Sequence, residues 1–203
     1  MLMQAKPSDE GRTVTELARR AQIVDAAIET IAELGYSRVS FAQIARRAGL
    51  SSTGLISYHF AGKRELMERV VERIYGEIGA FMTERMEDQP TARDALRAYI
   101  EGNVEFTATR RTQMKALLDI FVNGDLHYDT ESERTVLSPI EEILRWGQAT
   151  GEFRDFDVTV MATTLQRAVE GPTFLLAANP DLDLESYARE LVTLFDRATA
   201  NKE

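Results

Sequence analysis

Apolar residues recur at intervals of three and four along almost the whole chain, which is the period of an amphipathic helix. Gly35 follows the first clear stripe and predicts the end of a helix, because glycine readily adopts the positive φ angle of a helix stop. The chain has only five prolines among 203 residues. The pattern therefore predicts an all-α protein. The residues of the first stripe are Ile23, Ala26, Ala27, Thr30, Ile31 and Leu34.

Residues that begin and end helices predict eight further helices after the first. Ser40 and Gln43 stand at the spacing of a capping box at the start of the second helix. Pro139 is expected to bend or restart the seventh helix, and Gly171-Pro172 to interrupt the eighth, because proline clashes with the carbonyl group one turn earlier. The predicted ranges are 40–48, 51 or 52 to 59, 63–88, 91–108, 111–124, 132–151, 155–180 and 182–199.

The second and third predicted helices are very short and lie close together, within residues 41–60. Ala45 precedes Gly49 by four residues; a small side chain lets the next helix cross closely, and glycine can take the positive φ of a sharp turn. Ile44, Leu50 and Ile56 are expected to point inward. The side chains left outside are short hydrogen-bonding groups and aromatic rings, which suit base edges and phosphates: Ser52, Thr53, Gly54, Ser57, Tyr58 and His59. We interpret the segment as a DNA-binding helix-turn-helix; a purely structural helical hairpin is the alternative.

The distribution of charge supports the DNA-binding interpretation more than the total charge does. The chain carries a net charge of −9, which alone argues against a nucleic-acid partner. Residues 1–64, however, hold nine Lys and Arg against six Asp and Glu, a balance of +3 that leaves −12 for the rest. A basic first segment attached to an acidic remainder is the asymmetry expected when one part of a protein binds nucleic acid.

The main alternative class is an enzyme. His59 and His127 lie on separate predicted elements, and neither has a carboxylate at metal-binding helical spacing. We find no glycine-rich phosphate loop and no nucleophile–base pair, so no cofactor or metal is expected. A helical enzyme with an unrecognised site and a structural adaptor both remain as alternatives. DNA affinity that falls steeply with salt would distinguish the regulator from both.

The segment "AGLSSTGLISYHFAGKREL" resembles the amino-terminal signature of the tetracycline-repressor (TetR) family of bacterial transcription regulators. The preceding "IVDAAIETIAELGYSRVSFAQIARRAG" is similar to the same family, and the likeness covers roughly residues 18–78. One departure is visible: Ser51 and Ser52 stand where the family usually has one capping residue, so the turn is expected to be one residue longer.

The resemblance implies a role for each matching residue. Ser40 and Gln43 correspond to positions where helix two meets the phosphate backbone, and Lys63 corresponds to a phosphate contact at the start of helix four. Arg46 and Arg47 are placed to reach the backbone or, alternatively, form a solvated pair. Residues along the recognition helix are implied to contact DNA: Ser52, Thr53, Gly54, Ser57, Tyr58 and His59. Ser57 stands where an aromatic residue is frequent, so its base contact is expected to differ.

The resemblance also implies that the carboxy-terminal helices bind a small molecule and form a homodimer. The last two long helices carry apolar stripes that suit a four-helix interface or, alternatively, close the core of one chain. The predicted interface residues are Met161, Leu165, Tyr187, Leu191, Leu194 and Phe195. The predicted ligand-binding residues, which are equally compatible with plain core packing, are Phe81, Met82, Tyr99, Asn103, Phe106, Phe121, Trp146 and Gln166. Asp119 falls on the polar side of its helix and is not expected to bind a ligand.

These inferences define the expected organisation. Residues 1–17 are predicted to form a flexible tail, 18–78 the DNA-binding domain with its motif at 41–60, and 79–203 the effector-binding and dimerisation domain. A chain without cysteine, without a signal-peptide-like start and without the roughly 18–20 consecutive apolar residues of a membrane span is expected in the cytoplasm. The expected partners are double-stranded operator DNA, a second copy of the chain and a small-molecule effector.

Overall fold

The computed structural model describes residues 13–124, 126 and 130–201, and over this part of the chain the protein consists of nine α-helices and one short 3₁₀ turn, Tyr36–Arg38. The all-α prediction is confirmed. The helices are α1 Val14–Leu34, α2 Phe41–Arg47, α3 Gly54–His59, α4 Lys63–Met86, α5 Ala92–Thr109, α6 Arg111–Asn123, α7 Thr130–Thr150, α8 Val158–Ala178 and α9 Leu184–Thr199. None of the helices in the described ranges is both long and apolar enough to cross a membrane.

One helix start differs from the predictions. The capping box of Thr13 and Glu16 begins α1 at Val14, and residues 1–12, most of the predicted tail, lie outside the described residues. Helix α3 begins at Gly54, later than the predicted Ser51 or Ser52. Its first turn is formed around Thr53, whose carbonyl accepts the N–H groups of Ile56 and Ser57.

The long fourth helix joins two hydrophobic cores. Its first half contributes Leu66, Met67 and Ile74 to a core shared with α1, α2 and α3. Farther along, Met82 and Met86 pack against a second core built from α5, α7, α8 and α9. Helix α6 packs its buried face against α1 and belongs to the first core. The body therefore touches the amino-terminal helices through α6 as well as through α4.

Helices α7 and α8 run through their prolines without a break, so the predicted interruption at Pro172 and the predicted restart at Pro139 are wrong. Proline has no N–H group, so Pro172 leaves the carbonyl of Ala168 without its helical partner. The hydroxyl of Tyr187 on α9 donates to this carbonyl at 3.0 Å. Gly171 gives the hydroxyl room, since a Cβ atom there would lie 2.8 Å from Tyr187 Oη. Burial raises the pKa of Tyr187 and so favours the protonated, donating form.

Tyr187→Phe is expected to lower the free energy of unfolding by about 1–2 kcal/mol, because it leaves the Ala168 carbonyl without a donor. Denaturant unfolding at a fixed protein concentration measures the change. Tyr58→Phe is the matched control: its ring is 73% exposed, so removing its hydroxyl should change stability by less than about 0.5 kcal/mol. Equal stability of the two variants would show that Tyr187 does not support the proline-containing turn.

Candidate nucleic-acid interface

The α2–turn–α3 unit is held at both of its joints by local hydrogen bonds. At the first, Ser40 and Gln43 form the predicted capping box, in which the Ser40 N–H donates to Gln43 Oε1 at 2.7 Å. At the second, α2 ends in a Schellman motif: the Leu50 N–H donates to the Ala45 carbonyl at 2.9 Å, and Gly49 takes a φ of 63°. Helix α1 supports the turn, because Gln22 Nε2 donates to the Ala48 carbonyl at 2.7 Å.

Helix α3 presents one exposed face, as predicted. Ile56 is fully buried and fixes the rotation of the helix, while Tyr58 is 73% exposed. Ser52, Thr53, Gly54 and Ser57 are also exposed, and His59 is half-buried with its ring edge-to-face against Tyr58. The hydroxyl, aromatic and backbone groups of this face are thus accessible to a macromolecule.

One carboxylate lies beside this face. The hydroxyl of Tyr58 donates to Glu16 at 3.5 Å. Hydrogen bonds from the backbone and side chain of Thr13, and then from Tyr58, lower the pKa of Glu16. The carboxylate is therefore ionised near neutral pH and places a negative charge at the edge of the exposed face of α3.

The two arginines of α2 have different surroundings. Arg47 forms ion pairs with Glu29 and Glu33 on α1, so its charge is largely balanced within the chain. Arg46 is exposed. Of the pair, Arg46 is therefore the better candidate for a backbone phosphate contact.

Lys63 is positioned by Tyr36, an aromatic residue to which the sequence alone assigned no role. Its ammonium group donates to the Tyr36 carbonyl at 2.9 Å and lies 4.1 Å from the centre of the Tyr36 ring. The Tyr36 N–H in turn donates to the carboxylate of Asp119 on α6, which also accepts from Asn123 at 2.6 Å. Asp119 thus links α6 to the turn that holds Lys63.

Arg20 is a functional candidate that the sequence analysis missed. It is 6% exposed, and its guanidinium lies 4.3 Å from the centre of the Phe60 ring. One nitrogen donates to the His59 carbonyl at the end of α3, and another lies 3.8 Å from Glu65 on α4. Arg20 lies three residues before Ile23, on the apolar stripe of α1, and this position in the sequence indicates a buried arginine.

The predicted ligand-binding residues do not form one group. Phe81 and Phe106 meet edge-to-face with ring centres 5.5 Å apart, and Met82 packs against Gly102 on α5. Tyr99 and Gln166 form a buried polar pair, in which the Tyr99 hydroxyl donates to Gln166 Oε1 at 2.9 Å.

Three of the predicted ligand-binding residues have other surroundings. Phe121 packs against the first core beside Tyr75, because α6 faces the amino-terminal helices. Trp146, on α7, is 37% exposed. The Asn103 amide donates to the Tyr99 carbonyl one turn earlier in α5.

The predicted dimer stripe is likewise divided. Leu165, Leu191 and Phe195 are buried in the chain's own second core, so their assignment to an interface is wrong. Met161 and Tyr187 are half-buried. Leu194 is 57% exposed and lines, with Met161 and the 63% exposed Val160, an open groove of about 360 Å³ between α8 and α9. The exposed part of the stripe is therefore available to a second chain.

Comparison with known proteins gives the amino-terminal helices a family. Residues 23–70 match the model of the bacterial regulatory proteins of the tetR family. The transcriptional regulator BetI 1 of Chromohalobacter salexigens is 37% identical over 101 residues, which are 49% of this chain and 50% of that protein. The chain thus spans about half the length of the curated relatives it matches.

Solved structures extend the likeness of the fold to most of the chain. A transcriptional regulator from Saccharomonospora viridis in complex with choline has a TM-score of 0.80 at 21% identity and covers 92% of this chain and 100% of its own. The regulator FadR from Bacillus subtilis, in complex with stearoyl-CoA, has a TM-score of 0.71 at 23% identity and covers 86% of this chain and 96% of its own.

Helix order, the capped α2–turn–α3 unit and the matched residues together define a helix-turn-helix protein of the bacterial regulator class. Its residues 23–70 match the tetR family, and solved structures of regulators of that family share its fold. Its curated relatives are named as transcriptional regulators.

Proposed function

We propose that this protein is a transcriptional regulator that binds double-stranded operator DNA as a homodimer and releases it when a small molecule binds the body. The observation that carries the proposal is the exposed face of α3, presented on a capped and braced α2–turn–α3 unit within the matched residues 23–70. A short helix fixed in this way fits the major groove of DNA. We place its action in the cytoplasm, where operator DNA is found.

The DNA contacts follow from the surroundings of each residue. The exposed α3 side chains face the base edges, and Arg46 and Lys63 face the phosphates on either side. Ser40 and Gln43 stabilise the start of α2 and contact the backbone from there. Contacts to phosphates set affinity and register, whereas contacts to base edges set sequence preference.

The body is proposed to hold the effector near the second core, between α4, α5 and α8. Phe81, Met82 and Phe106 supply apolar surface there, and the Tyr99–Gln166 pair supplies a polar group able to orient a ligand. The choline and stearoyl-CoA in the two structural neighbours are ligands of very different size. The fold therefore accommodates ligands of different size, and the effector of this chain is defined by its own side chains.

Coupling between effector and DNA would pass through two routes. Within helix α4, the stretch from Lys63 to Phe81 spans roughly 27 Å at 1.5 Å per residue. In parallel, Asp119 on α6 binds the backbone of Tyr36, whose carbonyl binds Lys63. A ligand that prefers one position of these helices would change the distance between the two α3 helices of the dimer, which must match successive major grooves about 34–36 Å apart.

The proposal is tested by measuring duplex-DNA affinity over a range of salt concentrations. Wild-type protein should select a palindromic sequence from a random duplex library, and its affinity should fall steeply as salt rises. Lys63→Ala should weaken binding to all duplexes alike and reduce the salt slope by about two, because each chain of the dimer loses one phosphate contact.

Glu87→Ala, at an exposed residue just after α4, is the control and should leave both affinity and slope unchanged. A wild-type protein that binds duplex DNA weakly and without sequence preference would instead favour a helical small-molecule-binding protein or enzyme. A changed sequence preference in Lys63→Ala, with an unchanged slope, would assign this lysine to base contact.

A further inference from the structure

The exposed face of α3, here called the reading face, lacks the side chains that usually distinguish bases by paired hydrogen bonds. Guanine is recognised mostly by Arg or Lys and adenine by Asn or Gln. Residues 51–59, "SSTGLISYH", contain none of these four residue types. If this protein is the DNA-binding regulator proposed above, its sequence preference must come mainly from other contacts on this face.

Leu55 is the apolar group that α3 leaves uncovered. Its side chain is 36% exposed, whereas Ile56, the next residue, is completely buried. With α3 rotated so that Ile56 enters the core, Leu55 lies at one edge of the exposed face, next to Tyr58 one turn later. In the major groove, the C5-methyl group of thymine is the apolar feature that such a side chain contacts.

Gly54 supports close approach of α3 to the bases. Its φ angle is not positive, and a Cβ atom there would meet only Ser52 Oγ, at an ordinary contact distance of 3.4 Å. The fold therefore does not require glycine at this position, although glycine is less favourable than alanine in a helix. Gly54 lies opposite Ile56, at the centre of the exposed face, where the missing side chain brings the backbone and Leu55 nearer to the DNA.

We infer that this protein recognises thymine methyl groups in its operator through Leu55, with Gly54 giving the clearance for that contact. The inference rests on the proposed function and adds the base chemistry that the site reads. In a symmetric dimer, each half-site contributes one such thymine, so the contact occurs twice.

The test replaces thymine by deoxyuridine, which lacks only the C5-methyl group. The probe is a palindromic duplex selected by the wild-type protein from a random library, with each thymine pair replaced in turn. Replacing the contacted thymine by deoxyuridine should weaken wild-type binding about fourfold for each lost methyl group. Replacement in both half-sites should therefore weaken it about sixteenfold. Leu55→Ala should bind the thymine and deoxyuridine duplexes equally, and Glu87→Ala, an exposed control away from α3, should keep the wild-type ratio.

Each outcome decides the inference. An unchanged wild-type affinity for every deoxyuridine duplex overturns it while leaving the proposed function intact, and so does a Leu55→Ala variant that still distinguishes the two bases. Gly54→Ala should bind the thymine duplex about tenfold more weakly, the loss expected when a good base contact is removed, and its Tm should not be lower. Wild-type affinity in Gly54→Ala would contradict the close approach of α3 to the bases. Failure of the wild-type protein to select any duplex would overturn both the inference and the proposed function.

Discussion

Leu194→Arg is expected to yield a folded monomer whose operator affinity is about a hundredfold lower than that of the wild type, because one half-site then binds without the other. Leu194 is 57% exposed and lines the groove between α8 and α9 with Val160 and Met161. Exposed apolar surface of this kind, continuous over two helices, is the feature expected of a dimer interface. In a two-fold dimer the same patch meets itself, so two unpaired arginines would be buried against apolar surface.

The neighbouring residues make this prediction specific. Leu191 is 8% exposed and belongs to the chain's own core, so Leu191→Arg should unfold the chain and not merely separate the dimer. Val122 on α6 is 63% exposed and lies outside the groove, so Val122→Arg is a matched apolar-to-arginine control that should remain dimeric. Light scattering gives the mass of each variant, and circular dichroism its folding.

A Leu194→Arg protein that keeps the dimer mass and the wild-type affinity would place the interface elsewhere. Phe174 and Leu175, which are 57% and 45% exposed, would be the next candidates. They lie within about 60° of Val160 around the axis of α8, so an interface could continue along this helix toward its carboxyl end. Arginine at either position, measured in the same way, would then distinguish the two ends of α8.

Local chemistry made most of the fold predictable. Ser40 with Gln43, Thr91 before α5, and Gly49 after α2 act on backbone groups only a few residues away, so their effects can be inferred from spacing. The start of α3 could not be inferred in this way. Ser51, Ser52 and Thr53 are all capable of beginning a helix, and the outcome depends on how far the turn after α2 extends.

Contacts between distant residues explain most of the differences from prediction. Helical periodicity placed Leu191, Leu194 and Phe195 on one stripe, but it cannot distinguish burial in the same chain from burial in a second one. Proline chemistry predicted a break in α8 at Pro172. The helix continues there because the Tyr187 hydroxyl on α9 donates to the carbonyl that Pro172 leaves without a partner. Likewise, a pattern of single residues could not reveal that Lys63 is held by a backbone carbonyl 27 residues earlier.

Arg20→Met is expected to lower the free energy of unfolding by about 2–3 kcal/mol, somewhat less than the 3–5 kcal/mol typical of breaking a fully buried ion pair. The smaller value follows because Glu65 is 26% exposed and keeps a hydrogen bond from the Ala61 N–H at 2.7 Å. Methionine fills much of the same volume, so the loss reports the guanidinium and not a cavity. Denaturant unfolding measures it. Arg19→Met is the control, since within residues 13–124, 126 and 130–201 Arg19 bonds only to Gln22 on its own helix, and its loss should cost less than about 0.5 kcal/mol.

The same substitution should also weaken operator binding beyond what its loss of stability explains. Arg20 donates to the last carbonyl of α3, at His59, and stacks on Phe60, so it fixes the end of α3 that carries Tyr58. Without Arg20, the end of α3 becomes ordered only when DNA binds, and the free-energy cost of this ordering lowers the affinity. Affinity is therefore measured at a temperature where Arg20→Met remains fully folded. Wild-type affinity in a destabilised Arg20→Met protein would show that Arg20 supports the fold alone; a loss of about tenfold or more, with Arg19→Met unchanged, would show that it positions the reading face.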